Sequence, residues 1–281
     1  MSRSDRLGDE QLTLHIPESF SRWASARIDR KACIDGAYWL FILGVNNSGT
    51  TILSKILERH PEIRTLPAEG QLLTSAFPRP DLLGVERLWT SRMDLFRWDE
   101  NDDPRPALQA KRDWVGLYTK NPGILLEKSP PNTVRSLWLQ RNFTPSRFLS
   151  IIRSPYAVCE GIRRRKKCDI QEAARHWRAA NSCLLHDLET IEKNLLIKYE
   201  ELVDSPESIL TKLQRFLGFE TAFDVEACGD VNAHSFEGAT VGLKNLNEES
   251  FGRLSADDVR QINSICGTVM NELGYSMRDK P

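Results

Sequence analysis

Residues 38–60 read YWLFILGVNNSGTTILSKILERH, and three physical signals follow one another there. Tyr38–Leu43 is an uninterrupted apolar run, as expected of a strand buried on both faces. Gly44 and Gly49 bracket a short polar turn. From Thr50 onward, Ile52, Leu53, Ile56 and Leu57 recur at helical spacing until Pro61 ends the pattern. Strand, glycine turn and helix in this order form an anion cradle. The N–H groups of a first helical turn lack intrahelical partners, and the helix dipole adds positive potential there. Gly44-x4-Gly49-Thr50-Thr51 matches the phosphate loop G-x-x-x-x-G-K-[ST] with Thr50 in the lysine's place. That lysine serves the β- and γ-phosphates of a nucleoside triphosphate, so this turn suits a nucleotide with one 5′-phosphate better than ATP. An ordinary tight strand-to-helix turn is the alternative that this stretch alone leaves open.

The chain has 281 residues, enough for one large α/β domain or two small ones. Its apolar (40%) and charged (27%) fractions are those of a soluble globular protein. A net charge of −1 argues against a general binder of nucleic acid or anionic membrane. The first residues, MSRSDRLGDEQ, lack the apolar core of a signal peptide, and the longest apolar run, 37–45, is too short to span a bilayer. The six cysteines include no C-x-x-C pair, which predicts reduced thiols and a cytoplasmic protein. The five histidines are dispersed, and no metal site is expected.

Along the chain, Phe20, Trp23 and Ile28 suggest one packing face of a short helix within an N-terminal arm, residues 1–36. Residues 37–281 read as one domain. Pro61 and Pro67 bracket a short extended piece that delivers Glu69 to the carboxyl end of a second strand, where open α/β sheets bind ligands. Glu69 is therefore placed like a general base, with a solvated loop carboxylate as the blander reading. Residues 74–120 are irregular, broken by prolines and rich in aromatics, and read as a lid or acceptor-side insertion whose aromatics mostly pack on the core. Ile124–Glu127 is a short strand ending at Lys128, and Phe148–Ile152 is another ending at Arg153, which is suited to hold a second phosphate. Ser154 and Pro155 then start a helix that runs into the basic stretch 163–167, read as a solvated helix end. A helix over 170–193, a strand at Leu195–Tyr199, a helix from Pro206 to Gly218, an irregular stretch with His234, Gly238 and Gly242, and a last helix from Ser255 to Gly274 complete the chain. This alternation predicts a three-layer α/β fold: a P-loop-type parallel sheet with helices on both faces.

The ordered set GVNNSGTT (44–51), His60-Pro61, Glu69, EKSPPN (127–132), IIRSP (151–155) and Tyr199-Glu200-Glu201-Leu202 resembles the sulfotransferases that use 3′-phosphoadenosine 5′-phosphosulfate (PAPS), nearer the bacterial and tyrosylprotein branch than the small-phenol branch. The resemblance implies that Asn46, Asn47, Ser48, Gly49, Thr50 and Thr51 bind the 5′-phosphosulfate and that Arg153 binds the 3′-phosphate. It implies that Tyr199 and Lys244 lie near the nucleotide, that Glu69 is the base, and that Lys128 stabilises charge on the sulfuryl group. The donor would be PAPS without a metal, the acceptor a carbohydrate, lipid or small metabolite, with no nucleic-acid partner and no membrane span; a homodimer is compatible. Two departures stand out. Asn47 takes the place of a usual arginine or lysine, which shifts work onto Lys128 and the backbone. Gly161 takes the place of a serine, which leaves the 3′-phosphate to Arg153, helped by Arg163 or the main chain. Gly161 also weakens its helix by about 1 kcal/mol relative to alanine, a cost that close approach of a ligand would explain. The competing readings are a P-loop small-molecule kinase, opposed by the missing lysine, and a non-catalytic relative that binds adenosine 3′,5′-bisphosphate (PAP), suggested by Asn47.

Overall fold

β1 (Trp39–Leu43) is the middle strand of a five-stranded parallel sheet. With β2 (Ile63–Thr65), β3 (Ile124–Lys128), β4 (Ser146–Ile152) and β5 (Asn194–Lys198), the spatial order is β2-β3-β1-β4-β5. The structure, a computed structural model, describes residues 16–33, 36–118, 123–224, 233–236, 239–241 and 244–280. All five residues of β1 are fully buried because both faces of the sheet are covered. Trp39, Phe41 and Leu43 enter one core and Leu40 and Ile42 the other, following the strand's two-residue period. Each such side chain contributes roughly 1.5–3 kcal/mol by leaving water.

The helices are α1 (Glu18–Ala32), α2 (Thr50–Glu58), α3 (Met93–Phe96), α4 (Arg105–Val115), α5 (Ser136–Asn142), α6 (Pro155–Lys166), α7 (Ile170–Leu188), α8 (Tyr199–Asp204), α9 (Pro206–Leu217), α10 (Asn247–Gly252) and α11 (Ala256–Glu272). α2 and α9 cover one face of the sheet, and α4 to α7 with α11 cover the other. The fold is therefore the three-layer α/β arrangement that the alternation predicts. Among the described residues no helix is long and apolar enough to cross a membrane.

Several local expectations need correction. α1 forms, but Phe20 and Trp23 are about half exposed, and its buried face is Ser21, Ala24, Ser25 and Asp29. The reason is electrostatic: Asp29 accepts from Lys111 Nζ (2.6 Å) and from Trp39 Nε1 (2.8 Å), so the helix turns its polar side inward to meet a buried cation. Ser154 and Ser205 stand at helix N-caps, yet neither side chain makes a capping bond. α7 stops at Leu188, short of residue 193. Part of the irregular stretch after 230 is an antiparallel pair, β6 (Ala233–Phe236) with β7 (Ala239–Val241); Gly238, Gly242 and Cys228 lie outside the described residues. The insertion's aromatics do pack on the core: Trp89, Phe96, Trp114 and Tyr118 are buried, and Trp39 meets both Trp114 and Tyr118. His60 is also structural, stacked 3.7 Å from Phe219.

Candidate active site

The strand order creates a switch point at β1. The chain proceeds from β1 to β2 and β3 on one side, then crosses to β4 and β5 on the other, and open α/β sheets bind ligands at such a crevice. The turn after β1, Glu69 after β2, Lys128 at the end of β3, Arg153 after β4 and Tyr199 after β5 all reach that edge. They line one cavity of about 810 Å³.

The turn is held from beneath. Gly44 N donates to Thr133 Oγ1 (2.7 Å), and a Cβ at Gly44 would lie 2.5 Å from Ile151 O. Gly49 has φ +103°, and a Cβ there would lie 2.7 Å from the Tyr199 ring, so only glycine fits both the backbone and the space. α2 begins directly afterwards with no side-chain cap, so its first-turn N–H groups lack intrahelical partners, and Thr50, Thr51 and Ile52 line the cavity. Asn46, Asn47, Gly49, Thr50 and Thr51 line the cavity. Ser48 does not. Its side chain is fully buried, its hydroxyl donates to Val45 O (2.7 Å), and its N–H donates to the same carbonyl (3.1 Å). Ser48 shapes the turn, because its short side chain finds the nearer backbone acceptor.

Glu69 and Lys128 meet directly. Lys128 Nζ donates to Glu69 Oε1 (2.7 Å), and Gln71 Nε2 donates to Glu69 Oε2 (2.8 Å). Beneath them Glu127 is buried, and its desolvation raises its pKa above the ordinary carboxylate value. Its Oε1 accepts from Gly70 N (2.9 Å) and from Ser129 Oγ, and its Oε2 from Asn132. Gly70 O in turn accepts from Trp114 Nε1 (3.1 Å). The Glu69–Gly70 backbone is thus clamped from both sides, and a Cβ at Gly70 would lie 2.6 Å from Glu127 Oε1.

Arg153 lies over the Tyr199 ring (4.0 Å from its centroid) and donates to Asn47 O (3.0 Å) and Asn247 Oδ1 (2.8 Å). Burial lowers its pKa, opposed by Tyr199 and Glu200. Glu200 organises this corner by accepting from Ser154 N (3.0 Å), Asn247 Nδ2 (2.6 Å) and Tyr275 OH (2.9 Å). Lys244 lines the cavity, with its ammonium paired to Glu249 (2.9 Å). Gly161 also lines it, but the group that approaches it most closely is a side chain: a Cβ there would lie 2.8 Å from Asn47 Nδ2. The two departures at 47 and 161 are one packing arrangement. Arg163 turns away to Asp258 (2.7 Å), so it is no helper of Arg153. The basic run is not simply solvated, since Arg164 and Arg165 line the cavity.

Two residues of the insertion reach the turn and were not anticipated. Arg87 Nη1 donates to Asn47 Oδ1 (2.9 Å), and Trp89 Nε1 donates to Asn46 Oδ1 (3.0 Å). No pattern in the stretch around 87 marks either one, because the contact spans 40 residues or more of irregular chain.

Comparison with known proteins places this geometry. The model of the sulfotransferase family matches residues 40–224. Protein-tyrosine sulfotransferase 1 of Danio rerio is 26% identical over 267 residues, which cover 86% of this chain and 73% of the fish protein. The sulfotransferase domain from the curacin biosynthetic pathway superposes with a TM-score of 0.57 at 19% identity, covering 86% of this chain and 99% of that domain. Mouse sulfotransferase SULT7A1, solved with PAP, gives 0.51 at 13% identity, covering 87% of this chain and 91% of the mouse chain. The chain belongs to the sulfotransferase family.

Proposed function

We propose that this protein transfers a sulfuryl group from PAPS to an acceptor hydroxyl. The observation that carries the reading is the convergence of the Glu69–Lys128 pair with the glycine turn and Arg153 on one cavity. The residues present suit the donor. Gly49 leaves no room for a side chain, and the buried Asn47 Nδ2 has no hydrogen-bond partner among the described residues. Two chemically distinct anion positions follow: the turn with the α2 first turn, and Arg153. PAPS supplies an activated sulfuryl group when bound. Backbone N–H groups of the turn, with Thr50 and Thr51, hold its 5′ end. Arg153, beside Tyr199, holds the 3′-phosphate, and Lys244 closes that side. Glu69 accepts the acceptor's proton. Lys128, already within 2.7 Å of that carboxylate, neutralises charge that develops at the transferring group. Positioning, a base and cations suffice for a single displacement.

The acceptor is proposed to be a carbohydrate, lipid or small metabolite. Leu66, Ala68 and Leu72 line the cavity around Glu69 and offer such a molecule an apolar wall. A tyrosine side chain is the second reading, favoured by the fish relative's name.

The test is turnover of labelled PAPS against a panel of hydroxyl acceptors. With the best acceptor, Glu69→Gln lowers kcat by about 10²–10⁴-fold. Lys128→Ala lowers it by about 10²–10³-fold. Both keep PAP affinity within about threefold, the pattern of interactions made in the transition state. Thermal stabilisation by ATP but not by PAP would instead establish the kinase reading.

A further inference from the structure

The turn Gly44–Thr51 contains no charged side chain, yet the reading above asks it to hold the charged 5′ end of a phosphosulfate. Backbone amides and the helix dipole supply partial charges only. Of the other cations that line the cavity, Lys128 is salt-bridged to Glu69, and Arg153 is stacked on Tyr199 and bonded to Asn247. Arg87 is different. It comes from the insertion, lines the same cavity, and its guanidinium donates to a neutral carboxamide, that of Asn47.

Three features hold Arg87 there. Its backbone is left-handed (φ +62°), an uncommon state for a residue with a long side chain and one that must be stabilised by its surroundings. Two residues on, Trp89 is buried and bonded to Asn46, so the insertion is fastened to consecutive residues of the turn. Lys166 Nζ donates to Gly84 O (3.2 Å), which ties the start of this segment to the end of α6. Burial lowers the pKa of Arg87, and the carboxylates of Glu86 and Glu69 oppose that shift. The bond to Asn47 uses one of five N–H donors in the fork.

We infer that Arg87 is the cation for the 5′ end of the sulfuryl donor: carried in by the insertion and aimed by Asn47, it binds that end in place of a cation within the turn. This inference rests on the sulfotransferase reading. It explains why a neutral residue at 47 is compatible with a working site, since Asn47 then serves as the support for a guanidinium delivered from outside the turn.

Calorimetry tests it without an acceptor, using PAPS, PAP and adenosine 3′-phosphate as probes on the full chain. Arg87→Ala weakens PAPS binding by about 10-fold or more while adenosine 3′-phosphate, which lacks the 5′ group, binds as to the native chain. Arg87→Lys recovers part of the loss. Unchanged PAPS affinity in Arg87→Ala overturns the inference. So does an equal loss for adenosine 3′-phosphate, which would make Arg87 a prop for the turn. If the native chain binds none of the three nucleotides, the donor reading itself fails, a result distinct from any of these.

Discussion

The turn after β1 and the insertion between residues 74 and 118 meet at Asn46 and Asn47, but they are built by opposite means. The turn is local. Its shape follows from two glycines, Ser48 bonded to Val45, and a helix that starts at once. What it brings to the cavity is backbone and neutral side chains. The insertion has two short helices and long irregular stretches, and it is held by aromatic packing against Trp39 and Trp138. What it brings to the cavity is a side chain, Arg87. On the proposed reading, the shape of the 5′ anion site and the cation that serves it come from different parts of the chain, and the glycine motif shows only the first.

Three experiments would break or sharpen this contrast. The largest effect is expected in the turn. Gly49→Ala places a methyl group 2.7 Å from the Tyr199 ring at a left-handed backbone position. Strain and overpacking together cost roughly 4 kcal/mol. Urea unfolding should show this loss, and PAP binding should fall with it. A fully stable variant would mean that the turn is less constrained than its geometry implies.

The second concerns how the insertion is fastened. His176 on α7 is buried, its Nδ1 lies 2.8 Å from Thr90 Oγ1, and burial lowers its pKa to about 3. In the unfolded chain an ordinary histidine titrates near 6.5, so the unfolded state binds the extra proton first. The stability that depends on neutral His176 is thus present above pH about 6.5 and is lost as pH falls toward 3, roughly 3 kcal/mol of it by pH 4. Unfolding curves between pH 7 and 4 should show this slope, and His176→Asn should flatten it.

The smallest effect is at the seam. Trp89→Phe keeps a ring in the core but removes the bond to Asn46 Oδ1. The expected cost is about 1 kcal/mol in stability. If PAP affinity drops far more than that, the insertion governs the shape of the turn as well as its charge.

The strand at 39–43, the turn, α2, and the strand ends carrying Glu69, Lys128 and Arg153 were readable from the residues. Each depends on neighbours in sequence: apolar period, glycine spacing, proline placement. The misreadings share another cause. Phe20 and Trp23 looked like a packing face until a buried Lys111, more than 80 residues away, claimed Asp29 on the other side of α1. Ser48 was expected to face a ligand, but in this structure its hydroxyl is turned to Val45. Gly161 was expected to face a ligand; it lines the cavity, and its nearest neighbour there is the carboxamide of Asn47.

From residue order alone came the sheet, the edge at which ligands bind, and the chemical types gathered there, since backbone preference and hydrophobic period act over a few residues. Folding in three dimensions settled which cations face the cavity, which hydroxyl is spent internally, and that Arg87 stands beside Asn47. Those outcomes depend on competition among distant partners for the same buried space and the same hydrogen bonds, a competition that local patterning leaves undecided.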